Sequence, residues 1–119
     1  MPDDSHIHHN IDYIEFAVTD MAASKSFYEE AFGWKFNDYG PEYAGIQKSG
    51  GEAGGLRLEA EVATGGPLVI LYSNDLDTTL KKVRAAGGQI AKEPFDFPGG
   101  RRFHFVDPSG NELAAWSEK

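Results

Sequence analysis

The chain contains no cysteine, which excludes disulfides, thiolate metal sites and a cysteine nucleophile together. Basic residues are scarce: 11 Lys and Arg stand against 19 Asp and Glu, for a net charge of −8. A surface of that sign repels phosphate backbones and anionic lipid, so neither nucleic acid nor a membrane is an expected partner. Long apolar runs are missing as well, and none approaches the roughly 20 residues that a helical membrane span requires. The opening stretch MPDDSHIHHN has no basic region and no apolar core, so it does not read as a secretory signal. A cytoplasmic protein is the resulting expectation.

What is present is a chain of 119 residues, enough for one compact domain with a core of its own and too few for two independent ones. Glycine supplies the punctuation. Asp20 to Trp34 reads as an amphipathic helix, because Asp20 is a good N-cap, Ser24, Phe27, Tyr28 and Ala31 fall on one face, and Gly33 ends it. Before it, Ile14, Phe16 and Val18 alternate with Tyr13, Glu15 and Ala17, which predicts a strand with two distinct faces. The same pattern returns downstream. Asp75 stands for Asp20, Leu76 for Met21, Thr79 for Ser24, Val83 for Tyr28 and Gly88 for Gly33, after an apolar run from Pro67 to Tyr72. Two modules in a chain this short must share one core.

Between and after the helices, short strands are expected over Trp34 to Tyr39, Tyr43 to Lys48, Leu56 to Val62, Gln89 to Glu93, Arg101 to Val106 and Glu112 to Trp116. Ser49 to Gly55 (SGGEAGG) and Phe95 to Gly100 (FDFPGG) read as loops, and Asp107-Pro108-Ser109-Gly110 as a tight turn. The linker-like Thr64-Gly65-Gly66-Pro67 marks the module boundary. The chain thus divides into a tail over residues 1–10 and two βαβββ modules at about residues 11–63 and 66–117. In the tail, His6, His8 and His9 could grip a metal, but a solvated segment without fixed geometry is the plainer expectation.

The stretch VTDMAASKSFYEEAFGWKF, with Asp20, Ser24, Phe27, Tyr28, Phe32, Gly33 and Trp34, resembles the first-module signature of the vicinal oxygen chelate superfamily. Its members are the glyoxalase, bleomycin-resistance and extradiol-dioxygenase proteins. FPGGRRFHFVDPSGNELAAW is similar to their closing strands, with Asp107 to Asn111 as the turn. The resemblance covers nearly all of residues 11–117 and is nearest to bacterial proteins related to lactoylglutathione lyase. It implies an α+β fold in which two βαβββ modules form curled, cup-like mixed sheets around one cavity, closed within a chain or across a homodimer.

Metal-dependent members of the family hold one divalent ion with four strand side chains, and the ion polarises the substrate as a Lewis acid. Carried over by position, those ligands fall on Tyr13, Glu59, Leu68 and Ala114. Only Glu59 is a competent donor there, so no metal and no cofactor is expected. Alternation places Tyr13 and Glu15, Arg57, Glu59 and Glu61, Leu68, Ile70 and Tyr72, and Glu112, Ala114 and Trp116 on the faces opposite the helices. The expected ligand-binding residues are Tyr13, Arg57, Leu68, Ile70, Tyr72, His104, Ala114 and Trp116. Glu15 and Glu59 are the candidate general acid or base, since two carboxylates facing one dry cavity repel each other. Arg101 and Arg102 could neutralise an anionic ligand. Three readings follow: a metal-free binder of a small organic molecule, a lyase or isomerase using a divalent metal or a glutamate base, and an interaction module with a vestigial cavity.

Overall fold

A computed structural model describes residues 6–62 and 66–118 of the chain. They form two compact units. One is Tyr13–Pro67, the N-terminal module; the other comprises residues 68–118 with residues 6–12, the C-terminal module. Thr64 and Gly65, half of the stretch read as the module boundary, lie outside the described residues.

The N-terminal module runs β1 (Ile11–Val18), α1 (Met21–Phe32), β2 (Phe36–Asp38), β3 (Tyr43–Lys48) and β4 (Gly51–Leu58). Its strands lie in the order β2-β3-β4-β1, with β1 parallel to β4 and the other pairs antiparallel. The C-terminal module repeats this with β5 (Leu68–Tyr72), α2 (Leu76–Ala85), β6 (Gln89–Phe97), β7 (Gly100–Val106) and β8 (Glu112–Ser117). Its order is β5-β8-β7-β6, again with one parallel pair, β5 with β8. The fold is α+β, and each module has the βαβββ topology.

Both helices begin as their caps dictate. The Asp20 carboxylate accepts from the Ala23 N–H at 3.0 Å, and that of Asp75 from the Thr78 N–H at 3.2 Å. Gly33 ends α1 at φ 72, where a side chain would be strained. For α2 the left-handed residue is Gly87, at φ 98, and not Gly88 as the repeat suggested. Gly88 is needed for a different reason: a Cβ there would lie 2.7 Å from Val83 Cγ1. The helical faces cover one side of each sheet. Val18, Ile46 and Leu56 form the N-terminal core with Phe16, Met21, Trp34 and Phe36 around it. Leu76, Phe103 and Ala115 form the C-terminal one, flanked by Leu80, Val83, Ile90 and Phe105, so each module carries its own buried cluster where one shared core was expected.

Several strand limits differ from the sequence reading, most of all in β4 and β6. The glycine-rich SGGEAGG turns only at Ser49 and Gly50, and β4 then runs through Gly51, Gly54 and Gly55. Those glycines weaken a strand by roughly 0.5–1 kcal/mol each, but pairing on both sides, with β3 and with β1, overrides the composition. In return β4 stops at Leu58, so Glu61 lies outside any strand and is exposed. Likewise FDFPGG is mostly strand: β6 continues to Phe97 and pairs across a two-residue turn with Gly100. α1 is less covered than its pattern implied, with no buried residue and with Phe27 and Phe32 at 58% and 65% exposure.

Candidate functional site

In the N-terminal module, the sheet face away from α1 is polar. Glu15 on β1 is 5% exposed, a carboxylate almost wholly removed from water. That is tolerable only with charge-assisted partners. Arg57 Nη1 donates to its Oε1, and the Tyr43 hydroxyl donates to its Oε2 at 2.9 Å. Arg57 Nε donates in turn to Glu59 at 2.5 Å. The Tyr13 and Tyr43 hydroxyls share a hydrogen bond of 2.6 Å.

Strand register explains why these groups meet. Tyr43 pairs with Arg57 across β3 and β4, and Ala17 pairs with Arg57 across β1 and β4. Gly55 lies opposite both Gly45 and Glu15. It forms a floor, because a Cβ at Gly55 would stand 2.1 Å from the Tyr43 hydroxyl and 2.7 Å from that of Tyr13. Beside it the Glu52 carboxylate lies over Gly45 and accepts from Asn37 at 2.8 Å and Tyr39 at 2.5 Å.

The electrostatics follow from this layering. Burial pushes the Tyr13 hydroxyl up to about 12, and the charge of Glu15 adds to the rise. Tyr43 is driven up further, again chiefly by burial and then by Glu15. Burial alone would lower Arg57, but its bonds to Glu59 and Glu15 raise it. The two glutamates were expected to repel each other across a dry cavity. Instead Arg57 stands between them and neutralises the repulsion.

In the C-terminal module, the face away from α2 carries Ile70, Tyr72, His104, Ala114 and Trp116, paired as Ile70 with Ala114, Tyr72 with Trp116 and His104 with Ala114. Leu68 shares that face and is half-buried. Ile70 and Ala114 are 3% and 0% exposed, so they form the floor of the face. Glu112 accepts from His104 Nδ1 at 2.9 Å. Arg102 lies over the rings of Phe95 and Phe97, at 5.5 and 5.8 Å. Arg101, by contrast, sits near Asp77 and Asp96, at 3.6 and 3.8 Å.

Tyr72 and Trp116 are not open. His6 stacks on Tyr72 at 5.0 Å, meets Trp116 edge-on at 5.1 Å and bonds Asp12 at 2.8 Å. The nearly buried Asp12 also accepts from the Trp116 indole at 2.9 Å. His8 Nδ1 accepts from the Asn74 N–H, and His9 bonds Thr79 at 3.0 Å. The segment His6 to Asn10, expected as a solvated tail without fixed geometry, stays exposed over residues 7–10 but is anchored, because its three rings each find a polar partner on the same module.

The positions carried over for a metal do not suit one. Tyr13 offers a hydrogen-bonded phenol that resists ionisation, Leu68 and Ala114 offer no donor, and Glu59 is held by Arg57. Register also moves the fourth position. Ala114 lies opposite Ile70 on β5, and its counterpart opposite Glu15 on β1 is Gly55, so Glu59 is not the equivalent residue. Among the described residues, no three His, Cys, Asp or Glu side chains group as metal ligands.

Residues 10–115 match the family model described as Glyoxalase/Bleomycin resistance protein/Dioxygenase superfamily. The chain belongs to this superfamily. It is 31% identical to the anthracycline biosynthesis protein DauV of Streptomyces sp. (strain C5) over 126 residues, 87% of this chain and 45% of that protein. It is also 31% identical over 113 residues to an uncharacterized protein of Mycolicibacterium smegmatis, covering 92% of this chain and 94% of the other. The Mn(II)-bound glyoxalase from Novosphingobium aromaticivorans superposes with a TM-score of 0.70 at 25% identity, over 95% of this chain and 40% of that one. The chain spans less than half the length of DauV and of that glyoxalase.

Tyr43, Asn37 and Glu52 were missed as members of the polar face. The signal was there for Tyr43: Tyr43, Gly45 and Gln47 alternate with Ala44 and Ile46, which places it beside Glu15 once β3 is paired with β4.

Proposed function

We propose that this glyoxalase-superfamily chain is a cytoplasmic, homodimeric protein that binds a small organic molecule without a metal, over the polar face of Tyr13, Glu15, Tyr43, Arg57 and Glu59. The observation that carries the reading is the buried Glu15 carboxylate, held by Arg57 and Tyr43 on a glycine floor. A fold seeking stability alone would fill that face with apolar side chains, since a buried ion pair rarely outperforms them. Fixed donors and acceptors beside aromatic walls are what orient a small ligand. The relative DauV, named for anthracycline biosynthesis, supports a flat, oxygenated organic ligand. The exposed Phe27 and Phe32 on α1 support association with a second copy.

Thermal-shift screening of small organic molecules, with and without divalent ions, tests the reading. A hit should raise the melting temperature equally in both conditions and lose its effect in Arg57→Met. Ala114→Trp tests the C-terminal face separately, at an overpacking cost of about 1–3 kcal/mol. A hit that binds both variants unchanged removes the assignment. Stabilisation that requires Mn²⁺ or Zn²⁺ replaces it with a metal-dependent lyase or isomerase.

The second reading, an enzyme with a glutamate base, is favoured by Glu59 alone. Its side chain is 43% exposed, with one oxygen bound to Arg57, and it is within reach of a ligand lying on the face.

A further inference from the structure

His104 has a feature that the Glu15 face does not use. It is 4% exposed, and Nδ1 is bonded to the Glu112 carboxylate. A carboxylate accepts, so Nδ1 carries the proton and the lone pair of the neutral ring resides on Nε2. That atom is sealed from water and has no hydrogen-bond partner among the described residues. Leaving it so is unfavourable, and orphaned buried groups of this kind are few in native proteins.

The surroundings indicate what would satisfy it. The Phe95 ring is stacked against His104 at 5.8 Å and is itself 36% exposed. Arg102 lies over Phe95 and Phe97, and Phe97 reaches Trp116 at 6.0 Å. This is an aromatic wall with a guanidinium on it. β6, which carries both phenylalanines, is the outermost strand of its module, and its pairing slips on either side of the match between Lys92 and His104. Such bulges re-aim side chains and loosen a strand locally. A ligand that reaches Nε2 must displace the stacked Phe95 ring.

We propose that this face of β6 and β7 binds a flat aromatic ring bearing a hydroxyl group, which donates its hydrogen to His104 Nε2. Glu112 is the positioning residue that holds the imidazole in the accepting tautomer. The donor is a hydroxyl because Arg102 and Lys92, both electrostatically felt at His104, repel a cationic ammonium donor and stabilise an oxyanion. Full transfer breaks the O–H bond, leaves the electron pair on oxygen beside Arg102 and places the proton on Nε2, giving an imidazolium paired with Glu112. Burial lowers the basicity of His104 and the bond to Glu112 partly restores it. The site uses no residue of the Glu15 network, so either can fail without the other.

The test uses 4-nitrophenol, whose anion absorbs visible light, with the full chain at about one pH unit below the phenol's own pKa. Saturable binding with a rise in the phenolate band is expected, and 4-nitroanisole, which has no hydroxyl, should bind roughly tenfold or more weakly. His104→Phe should abolish the band while circular dichroism and the melting profile show a folded chain. Glu112→Gln should retain binding and diminish the band, which a merely structural role would not do. No saturable binding, equal binding of the anisole, or a band that survives in His104→Phe overturns the proposal.

Discussion

At the scale of single residues, the decisive group is Glu15. Removing Arg57 takes the guanidinium away from that buried carboxylate, while Tyr43 still donates to it. Arg57→Met should therefore destabilise the chain by about 3 kcal/mol, the low end for breaking a buried pair because Arg57 is itself 36% exposed. Adding Glu15→Gln should restore most of the loss, as urea midpoints of the single and double variants will show. Additive losses would mean that the two residues act separately. Tyr13 sets a second expectation. Its hydroxyl is raised to about 12 by burial, whereas the unfolded chain ionises near 10. The unfolded state therefore sheds its proton first as pH rises. The stabilisation is complete below pH of about 10 and is lost as pH climbs through the folded value. Urea midpoints measured from neutral to strongly alkaline pH should fall more steeply for the wild type than for Tyr13→Phe, and parallel curves would refute the coupling. His104 works in the opposite direction, since burial lowers its pKa. Its share is present above the ordinary value of 6.5 and lost on acidification.

Among elements, β4 shows how composition misleads. Seven residues rich in glycine read as a loop, yet the same glycines are what allow β4 to sit between β1 and β3 under the tyrosine pair. A Cβ at Gly54 would lie 1.9 Å from the Ile14 carbonyl oxygen, a backbone atom that cannot step aside. At Gly51 nothing lies within 4 Å. Gly54→Ala should accordingly cost about 1–3 kcal/mol or more, while Gly51→Ala should stay within about 0.5 kcal/mol of the wild type. Calorimetric melting of both variants checks the contrast. If the two melt together, the close approach of β4 to β1 is not what selects glycine there.

For the whole molecule, the membership of the superfamily rests on residues 10–115, and no described helix is long and apolar enough to cross a membrane. The assembly is a prediction. Phe27 and Phe32 meet edge-on at 6.4 Å, and both remain more than half exposed. A second copy packed on such a cluster would relieve its contact with water. Light scattering at micromolar concentration should give twice the chain mass, and Phe27→Asp with Phe32→Asp should give a monomer with an unchanged melting profile. A wild-type monomer at every concentration would exclude the homodimer.

Sequence alone determined the elements whose causes are local. Asp20 and Asp75 announced the helix starts, Gly33 a helix end, Asp107 to Gly110 a turn, and the alternation of β1 separated Glu15 from Phe16. It also placed Tyr13, Glu15, Arg57 and Glu59 on a common face, and the absence of metal donors at Leu68 and Ala114 needed no structure. Pairing was decided elsewhere. That Gly55 rather than Glu59 corresponds to Ala114, that Tyr43 completes the Glu15 network, and that His6 stacks on Tyr72 all depend on which strands lie side by side and in what register. Local periodicity specifies the face a residue points to, but the partner across the ladder is set by hydrogen bonds between segments distant in sequence. A one-residue shift of that ladder changes every neighbour while leaving the sequence pattern unaltered.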